Sequence, residues 1–238
     1  MGDGTRAYEV GYTLRDVRLP QRVDEPGRLS FVIESFRGKP QTRFLTEQSK
    51  RMHVYVVRED LAVFRHVHPQ MRPDGTWVGN LTLPEPGDYR VVAEFVARDD
   101  GGNGDHVLLG DRVEVPGSWR PRPVTDVGET AADWAVEARV VSDLAAGSEQ
   151  ELRIRLTSPD GGSPTLGQYL GTFAHLTGFH TGSGAVVHMH PLGAPESSQQ
   201  GSELVFHADL PVAGDYVLFL QVPVEGFLHT LPLLVTAS

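Results

Sequence analysis

The sequence predicts an all-β protein built as two tandem antiparallel β-sandwich domains from an internal duplication. Three observations carry this reading. Short segments rich in Val, Phe, Tyr and Leu recur along the chain, among them "RLSFVIESF", "HVYVV", "YRVVAEFV", "ELRIRL" and "DYVLFLQV". Turn residues bound them, and the 238 residues include 26 Gly and 17 Pro. The second half then repeats the pattern of the first.

The repeat is clearest in its histidines. "RMHVYVVREDLAVFRHVHP" lies over "FAHLTGFHTGSGAVVHMHP", so that His53, His66 and His68 match His175, His188 and His190. Counted from the first histidine, the gaps are 13 and 15 residues in both copies. Downstream, Gly87-Asp88-Tyr89 matches Gly214-Asp215-Tyr216, and each copy carries one more histidine, His106 or His229. Domains of residues 1–115 and 131–238 follow, joined by "PGSWRPRPVTDVGET" (116–130), which lacks periodicity. The piece "TRFLTEQSK" has room for a helical turn.

Composition narrows the chemistry. With 21 basic and 31 acidic residues the net charge is −10, which argues against nucleic acid and anionic membrane surfaces as partners. The chain has no cysteine. Disulfides, thiolate zinc sites, iron–sulfur clusters and blue-copper ligation are therefore excluded. No apolar run is long enough for a membrane-spanning helix. The start "MGDGTRAYEV" shows no apolar signal core, and "MGDGT" ahead of a strand-like segment suggests that a leader was removed.

Strand geometry turns the histidine spacing into a candidate site. With Asp60-Leu61 as a two-residue turn, His53 falls opposite His68 and Tyr55 opposite His66. All three histidines then project from one face, and Val54, Val56 and Val67 from the other. With Gly182-Ser183 at the second turn, His175 falls opposite His190 and Thr177 opposite His188, with the same parity. Directly opposed Cβ atoms lie about 4.5–5.5 Å apart, a separation from which imidazoles converge on one ion. His106 and His229, on a further strand, are placed to complete each set. Imidazoles without thiolates suit Cu(II) or Zn(II), with affinity order favouring copper, and disfavour Ca and Mg. Met52 and Met189 point to the opposite face and are not assigned as ligands.

Other residues read more plainly. His180 and His207 have no counterparts in the first repeat, and a surface or loop role is expected. Glu94 and Gln221 correspond; a solvated strand position is the favoured reading, and a role orienting a ligand imidazole the alternative. Tyr89 and Tyr216 fit the back-bonding tyrosine of Greek-key sandwiches. "DDGGNGD" lacks a Ca-loop register, and no nucleophile elbow, P-loop or HExxH is present.

The segments "KRMHVYVVREDLAVFRHVHPQMRPDGTW", "PGDYRVVAEF" and "YLGTFAHLTGFHTGSGAVVHMHPL" resemble poorly characterised bacterial exported proteins described as heavy-metal-binding or copper-associated. The resemblance covers most of the chain and is sharpest at the two H-x-H-P ends. It implies Ig-like or cupredoxin-like domains, an extracytoplasmic location and a metal-handling role for His53, His66, His68, His175, His188 and His190, and less directly for His106 and His229. The leading expectation is a protein that buffers or delivers copper, zinc being the other candidate ion, to an unidentified recipient. A His-ligated metalloenzyme and a metal-free adhesion or scaffold module are the alternatives. No acid–base residue beside the histidines is evident from sequence.

Overall fold

The computed structural model describes residues 2–98, 101–122, 124 and 127–238, the side chain of His188 excepted. Among these residues the only regular elements longer than a turn are strands, and no helix is long and apolar enough to cross a membrane. The chain forms two compact units, 1–122 and 123–238. In the first, the strands are β1 (Tyr8–Glu9), β2 (Tyr12–Arg18), β3 (Gly27–Ser35), β4 (Phe44–Leu45), β5 (His53–Arg58), β6 (Phe64–Val67), β7 (Gln70–Met71), β8 (Thr76–Leu81), β9 (Gly87–Arg98) and β10 (Gly104–Val115). In the second they are β11 (Thr130–Ala132), β12 (Glu137–Val140), β13 (Glu149–Thr157), β14 (His175–His180), β15 (Val186–Pro191), β16 (Glu196–Ser198), β17 (Gly201–Asp209), β18 (Gly214–Val224) and β19 (Phe227–Ala237).

Each unit is an antiparallel β-sandwich. In the first, a sheet ordered β1-β2-β3-β8-β7 faces one ordered β10-β9-β5-β6, with β4 added on β9. Leu29, Phe31 and Ile33 alternate inward along β3, and Val54 and Val56 along β5. Between them Trp77 stacks on Phe31 and meets the edge of Phe44. Burying each such side chain contributes about 1.5–3 kcal/mol, so the alternation fixes which face of every strand turns inward. The second unit strings its strands as β11-β12-β13-β17-β15-β14-β18-β19, with β15 pairing both β17 and β14. The counterpart of β15 in the first unit is β6–Pro69–β7, which pairs β5 and then β8. The H-x-H-P segments therefore lie where a strand leaves one sheet for the other.

The hairpin registers agree with the sequence reading: Tyr55 pairs His66 and Thr177 pairs His188. The loops are longer than expected. The last bonds run from Arg58 N to Val63 O and from His180 N to Ala185 O, so four residues connect each pair. In the first loop Leu61 N donates to Arg58 O, and the Asp60 carboxylate accepts from Ala62 N and from Arg58.

The same packing device occurs in both units. Tyr89 donates its hydroxyl to Glu85 O at 2.7 Å, and Tyr216 to Val212 O at 2.6 Å. This back-bond to the backbone four residues upstream is the corner feature of Ig-like sandwiches. Burial pushes the Tyr89 hydroxyl up to about 12. Two residues before each tyrosine a glycine is required. Gly87 (φ 142°) lies under Arg58, and Gly214 (φ 138°) under His180; an added Cβ would come within 2.7 Å and 2.8 Å of those side chains. His180 is thus the counterpart of Arg58, packed on Tyr216 and bonded to Ser183 at the hairpin tip. Elsewhere the repeats part company. Gly178 takes the place of Val56, and a Cβ there would lie 2.6 Å from Val187 and 2.8 Å from Leu218.

The predicted linker is partly fixed. Arg58, 1% exposed, pairs with Asp60 and Glu85 and lies on the Trp119 ring. Arg122 donates its backbone N–H to Asp60 and pairs with Glu85. On the other side, the carbonyls of Gly128 and Glu129 accept from Leu234 and Val140 of the second unit. Pro123, Thr125 and Asp126 lie outside the described residues.

Burial would raise the Asp60 pKa, but hydrogen bonds from Arg58, Arg122 and Ala62 outweigh it and hold the carboxyl below its usual range. Glu85 is lowered by its hydrogen bond from Arg122, then by Arg58. A depressed carboxylate stabilises the fold above its unfolded pKa, near 4, and that stability is lost as pH falls through the lower folded value. Asp60→Asn should therefore lower the melting temperature at pH 7 and flatten its decline below about pH 4. Thermal unfolding of the two proteins between neutral and acid pH checks this; parallel curves would contradict it.

Candidate metal centre

His53 opens β5 on the face opposite the core-directed Met52 and Val54, and is 4% exposed. Tyr55 is its neighbour on that face, with His66 across the ladder. His68 stands one residue beyond β6, at the sheet change. The three rings close on one point. His53 Nδ1 lies 3.2 Å from His66 Nε2 and 3.2 Å from His68 Nε2. Among the described residues these are the only three His, Cys, Asp or Glu side chains grouped closely enough to hold one ion, with ligand atoms within 4.8 Å of one another.

The orientation of His53 is fixed from behind. Its Nε2 lies 3.1 Å from the carbonyl oxygen of Glu47, which can only accept. Nε2 therefore carries the proton, and the neutral ring presents the Nδ1 lone pair to His66 and His68. That carbonyl is set by a feature the sequence hid. Glu47 and Lys50 pair around a two-residue turn in which Gln48 (φ 44°) and Ser49 (φ 67°) are both left-handed. The helical turn expected in "TRFLTEQSK" is instead this tight hairpin turn, built on two non-glycine residues at a cost of about 1–2 kcal/mol each.

The donor set fits a transition metal. Two nitrogens bound to one tetrahedral ion at about 2.0–2.1 Å are about 3.3 Å apart, close to both separations here. A single lone pair also cannot accept two full hydrogen bonds, so with metal absent at least one ring contact is compromised. His53, His66 and His68 would hold the ion, which would supply Lewis acidity at its remaining position.

A buried acidic group flanks the triad. Glu94, expected to be solvated, is 2% exposed and is the cross-strand partner of His53. Its carboxylate accepts from Tyr55 Oη at 2.6 Å and lies 3.0 Å from His106 Nε2. The Glu47 carboxylate stands 3.6 Å from the same nitrogen. His106 thus sits in the surroundings of the site, bonded to acids rather than grouped with the three rings. Tyr55 and Glu47 were not singled out by sequence. The signal available for Glu94 was its alignment with Gln221 on the histidine-bearing face.

The second repeat keeps the scaffold and carries different residues at some of these positions. His175 is buried, and its Nε2 lies 3.2 Å from the carbonyl of Tyr169, again six residues upstream. Tyr169 and Thr172 pair around a turn with Leu170 (φ 55°) and Gly171 (φ 82°) left-handed. Gln221 stands opposite His175, where the first repeat has Glu94. The side chain of His188 lies outside the described residues. His190 is exposed and pairs with His207, which stands 3.6 Å from Glu149. His229 differs from expectation. It pairs with Val222 and shares the parity of Leu231 and Leu233, so it turns to the core face and away from the face of His175 and Gln221. There it lies 2.5 Å from Asp133 Oδ2, beside Trp134. Burial alone would raise the Asp133 carboxyl, but bonds from Ala135, His229 and Val136 lower it.

The family model described as a domain of unknown function (DUF8832) matches residues 8–103 and 130–238. The chain belongs to this family. No curated protein sequence matches it. Among solved structures, similarity extends to invasin, titled a bacterial integrin-binding protein (16% identity, 95% of this chain and 39% of that one, TM-score 0.24). It extends also to a biofilm-associated protein domain (12%, 89% and 27%, TM-score 0.24) and a putative membrane-anchored protein from Corynebacterium diphtheriae (7%, 97% and 59%, TM-score 0.27). The chain thus spans less than two thirds of each of these proteins. At such TM-scores the likenesses carry no functional argument.

In the metal-free protein, nitrogen NMR should find the proton of neutral His53 on Nε2. A proton on Nδ1 would contradict the role given to the Glu47 carbonyl.

Proposed function

We propose that this protein binds a divalent transition metal, copper in first place and zinc in second, through His53 Nδ1, His66 Nε2 and His68 Nε2. The observation that carries the reading is the convergence of three ring nitrogens on one point, with the His53 ring oriented by a backbone carbonyl. An all-nitrogen donor set without thiolate suits Cu(II) or Zn(II), and the affinity order ranks copper higher. The buried Glu94 on the same face favours a cation there, whereas the second repeat offers the neutral Gln221. The first unit is therefore the principal site. Buffering or delivery of the ion outside the cytoplasm is the role we assign, the location resting on the resemblance of the H-x-H-P segments to exported metal-associated proteins.

A second reading is a β-sandwich adhesion or scaffold module in which the triad is a packed polar cluster. It is favoured by the 3.2 Å separations, which also lie within hydrogen-bond range, so the rings partly satisfy one another without an ion.

Titration of Cu(II) and Zn(II) into metal-free protein separates the two. One tight equivalent is expected, lost in His53→Ala and unchanged in His229→Ala. Glu94→Gln should weaken it about 10–100-fold, as loss of a group supporting a ligand does. Affinity should fall as the imidazoles protonate below about pH 6.5. Binding no tighter than that of exposed histidines, and unaffected by His53→Ala, would leave the scaffold reading.

A further inference from the structure

The two units differ sharply in charge. Residues 1–122 carry 18 acidic and 18 basic side chains, and residues 123–238 carry 13 and 3. The whole net charge of −10 therefore belongs to the second unit. Of its three basic residues, Arg153 pairs with Glu151 and Glu203, and Arg155 with Glu203. Arg139 stands across the β12–β13 ladder from Arg155. The same unit displays two aromatic rings in solvent, Trp134 being 63% and Phe227 62% exposed. They meet edge to face with centroids 5.8 Å apart.

Both rings are held by the fold. Asp133 N donates to Val136 O, and Asp133 Oδ1 accepts from Ala135 N at 2.9 Å and Val136 N at 3.1 Å. The other carboxylate oxygen reaches His229, whose ring packs on Trp134 with centroids 5.3 Å apart. Trp134 thus sits at the tip of a closed turn. Phe227 opens β19 straight after the Glu225-Gly226 turn, where both residues are left-handed (φ 51° and 85°). That hairpin geometry sets the direction in which Phe227 leaves the turn. Glu225 lies two residues before Phe227 and Glu137 three after Trp134, and both are exposed.

Single apolar side chains scattered over a surface need no explanation, whereas two large rings locked together in water do. Tryptophan is a frequent anchor of protein interfaces, and its face attracts guanidinium and ammonium groups. Acidic surroundings select a basic occupant and repel a second copy of the same unit. A small monovalent cation would answer only a fraction of that charge, while a segment with several Lys or Arg side chains draws on the field of the whole unit. We infer that the Trp134–Phe227 face of the second unit docks a basic segment of a partner protein. One Lys or Arg side chain lies on the indole, and others meet acids such as Glu225 and Glu137.

The test uses the full chain with three probes: a short peptide of alternating arginine and alanine, its glutamate counterpart, and the neutral oligosaccharide maltohexaose. Calorimetry reads affinity, and nitrogen–proton NMR reads the indole N–H groups. The arginine peptide should bind saturably, more weakly at high salt, and the glutamate peptide should not bind. Binding should shift the Trp134 indole N–H and leave those of Trp77 and Trp119 in place. Trp134→Ala and Phe227→Ala should each weaken binding about tenfold or more, as loss of an interface anchor does. Glu137→Gln/Glu225→Gln should reduce the salt dependence. Thermal unfolding of each variant checks that the unit is folded, and the indole shift in the unaltered protein reads the site without any variant. No binding of the arginine peptide, or equal binding of the glutamate peptide, would overturn the inference. Arginine-peptide binding with no Trp134 shift and no loss in Trp134→Ala would be diffuse attraction to an acidic surface, and would overturn it as well. Saturable maltohexaose binding at Trp134 without peptide binding would assign a sugar instead. Dimerisation that is lost in Trp134→Ala, without peptide binding, would assign a second copy; either result also sinks the basic-segment reading.

Discussion

A hydrogen bond from His53 to the carbonyl of Glu47 decides which nitrogen the ring presents, and the candidate centre depends on it. Without it, Nδ1 and Nε2 would compete for the proton and the ring would be free to turn over. With it, one lone pair points at His66 and His68, and the β5–β6 ladder holds those rings within reach. The second repeat keeps the same bond at the same spacing, from His175 to Tyr169. Its persistence across a duplication that changed so many other residues shows that the two turns and the two histidines behave as one structural piece. Left-handed non-glycine residues in both turns are the local strain by which the carbonyl is brought to the ring.

Much of this was legible beforehand, for identifiable reasons. The β-hairpin registers were readable because one face of β5 and β14 is core, and a one-residue slip would turn Val54 and Val56, or Leu176, outward. The corner tyrosines were readable from Gly-Asp-Tyr alone. Loop lengths were not: the Asp60 side chain adds a bond from Ala62 N to the backbone turn between Arg58 and Leu61, and the connection runs past two residues. The turn at Gln48-Ser49 was hidden because neither residue is one that ordinarily tolerates positive φ, and the neighbouring residues suited a helix. Glu94 was misjudged because a carboxylate on a strand is normally solvated; burial beside Tyr55 and His106 is a tertiary fact. His229 was misplaced by one residue of register. β18 and β19 meet in a tight turn at Glu225-Gly226, while the β9–β10 connection is longer, so equal-looking histidines fall on opposite faces.

The two repeats therefore share a frame and differ in chemistry. Glu94 against Gln221, Tyr55 against Thr177 and Arg58 against His180 are changes on aligned strands. The first two alter charge or hydrogen bonding on the face that carries the histidines, and the third alters the side chain packed at the corner; the ladder and the corner stay intact. The fold tolerates this because the inward faces, which hold each sandwich together, are separate from the outward ones by simple alternation.

Gly178 has a consequence of another kind. Two tandem copies of one fold invite exchange of equivalent strands during folding, since each half offers the other a nearly matching partner. The strand that would compete with β14 is β5, and it carries Val56 where β14 carries Gly178. Val187, Leu218 and Met189 already fill the space that a side chain at that position would need. An intruding β5 would meet them with a branched side chain in a closed core. The missing Cβ of Gly178 is thus one point at which β14 and its sibling strand are not interchangeable.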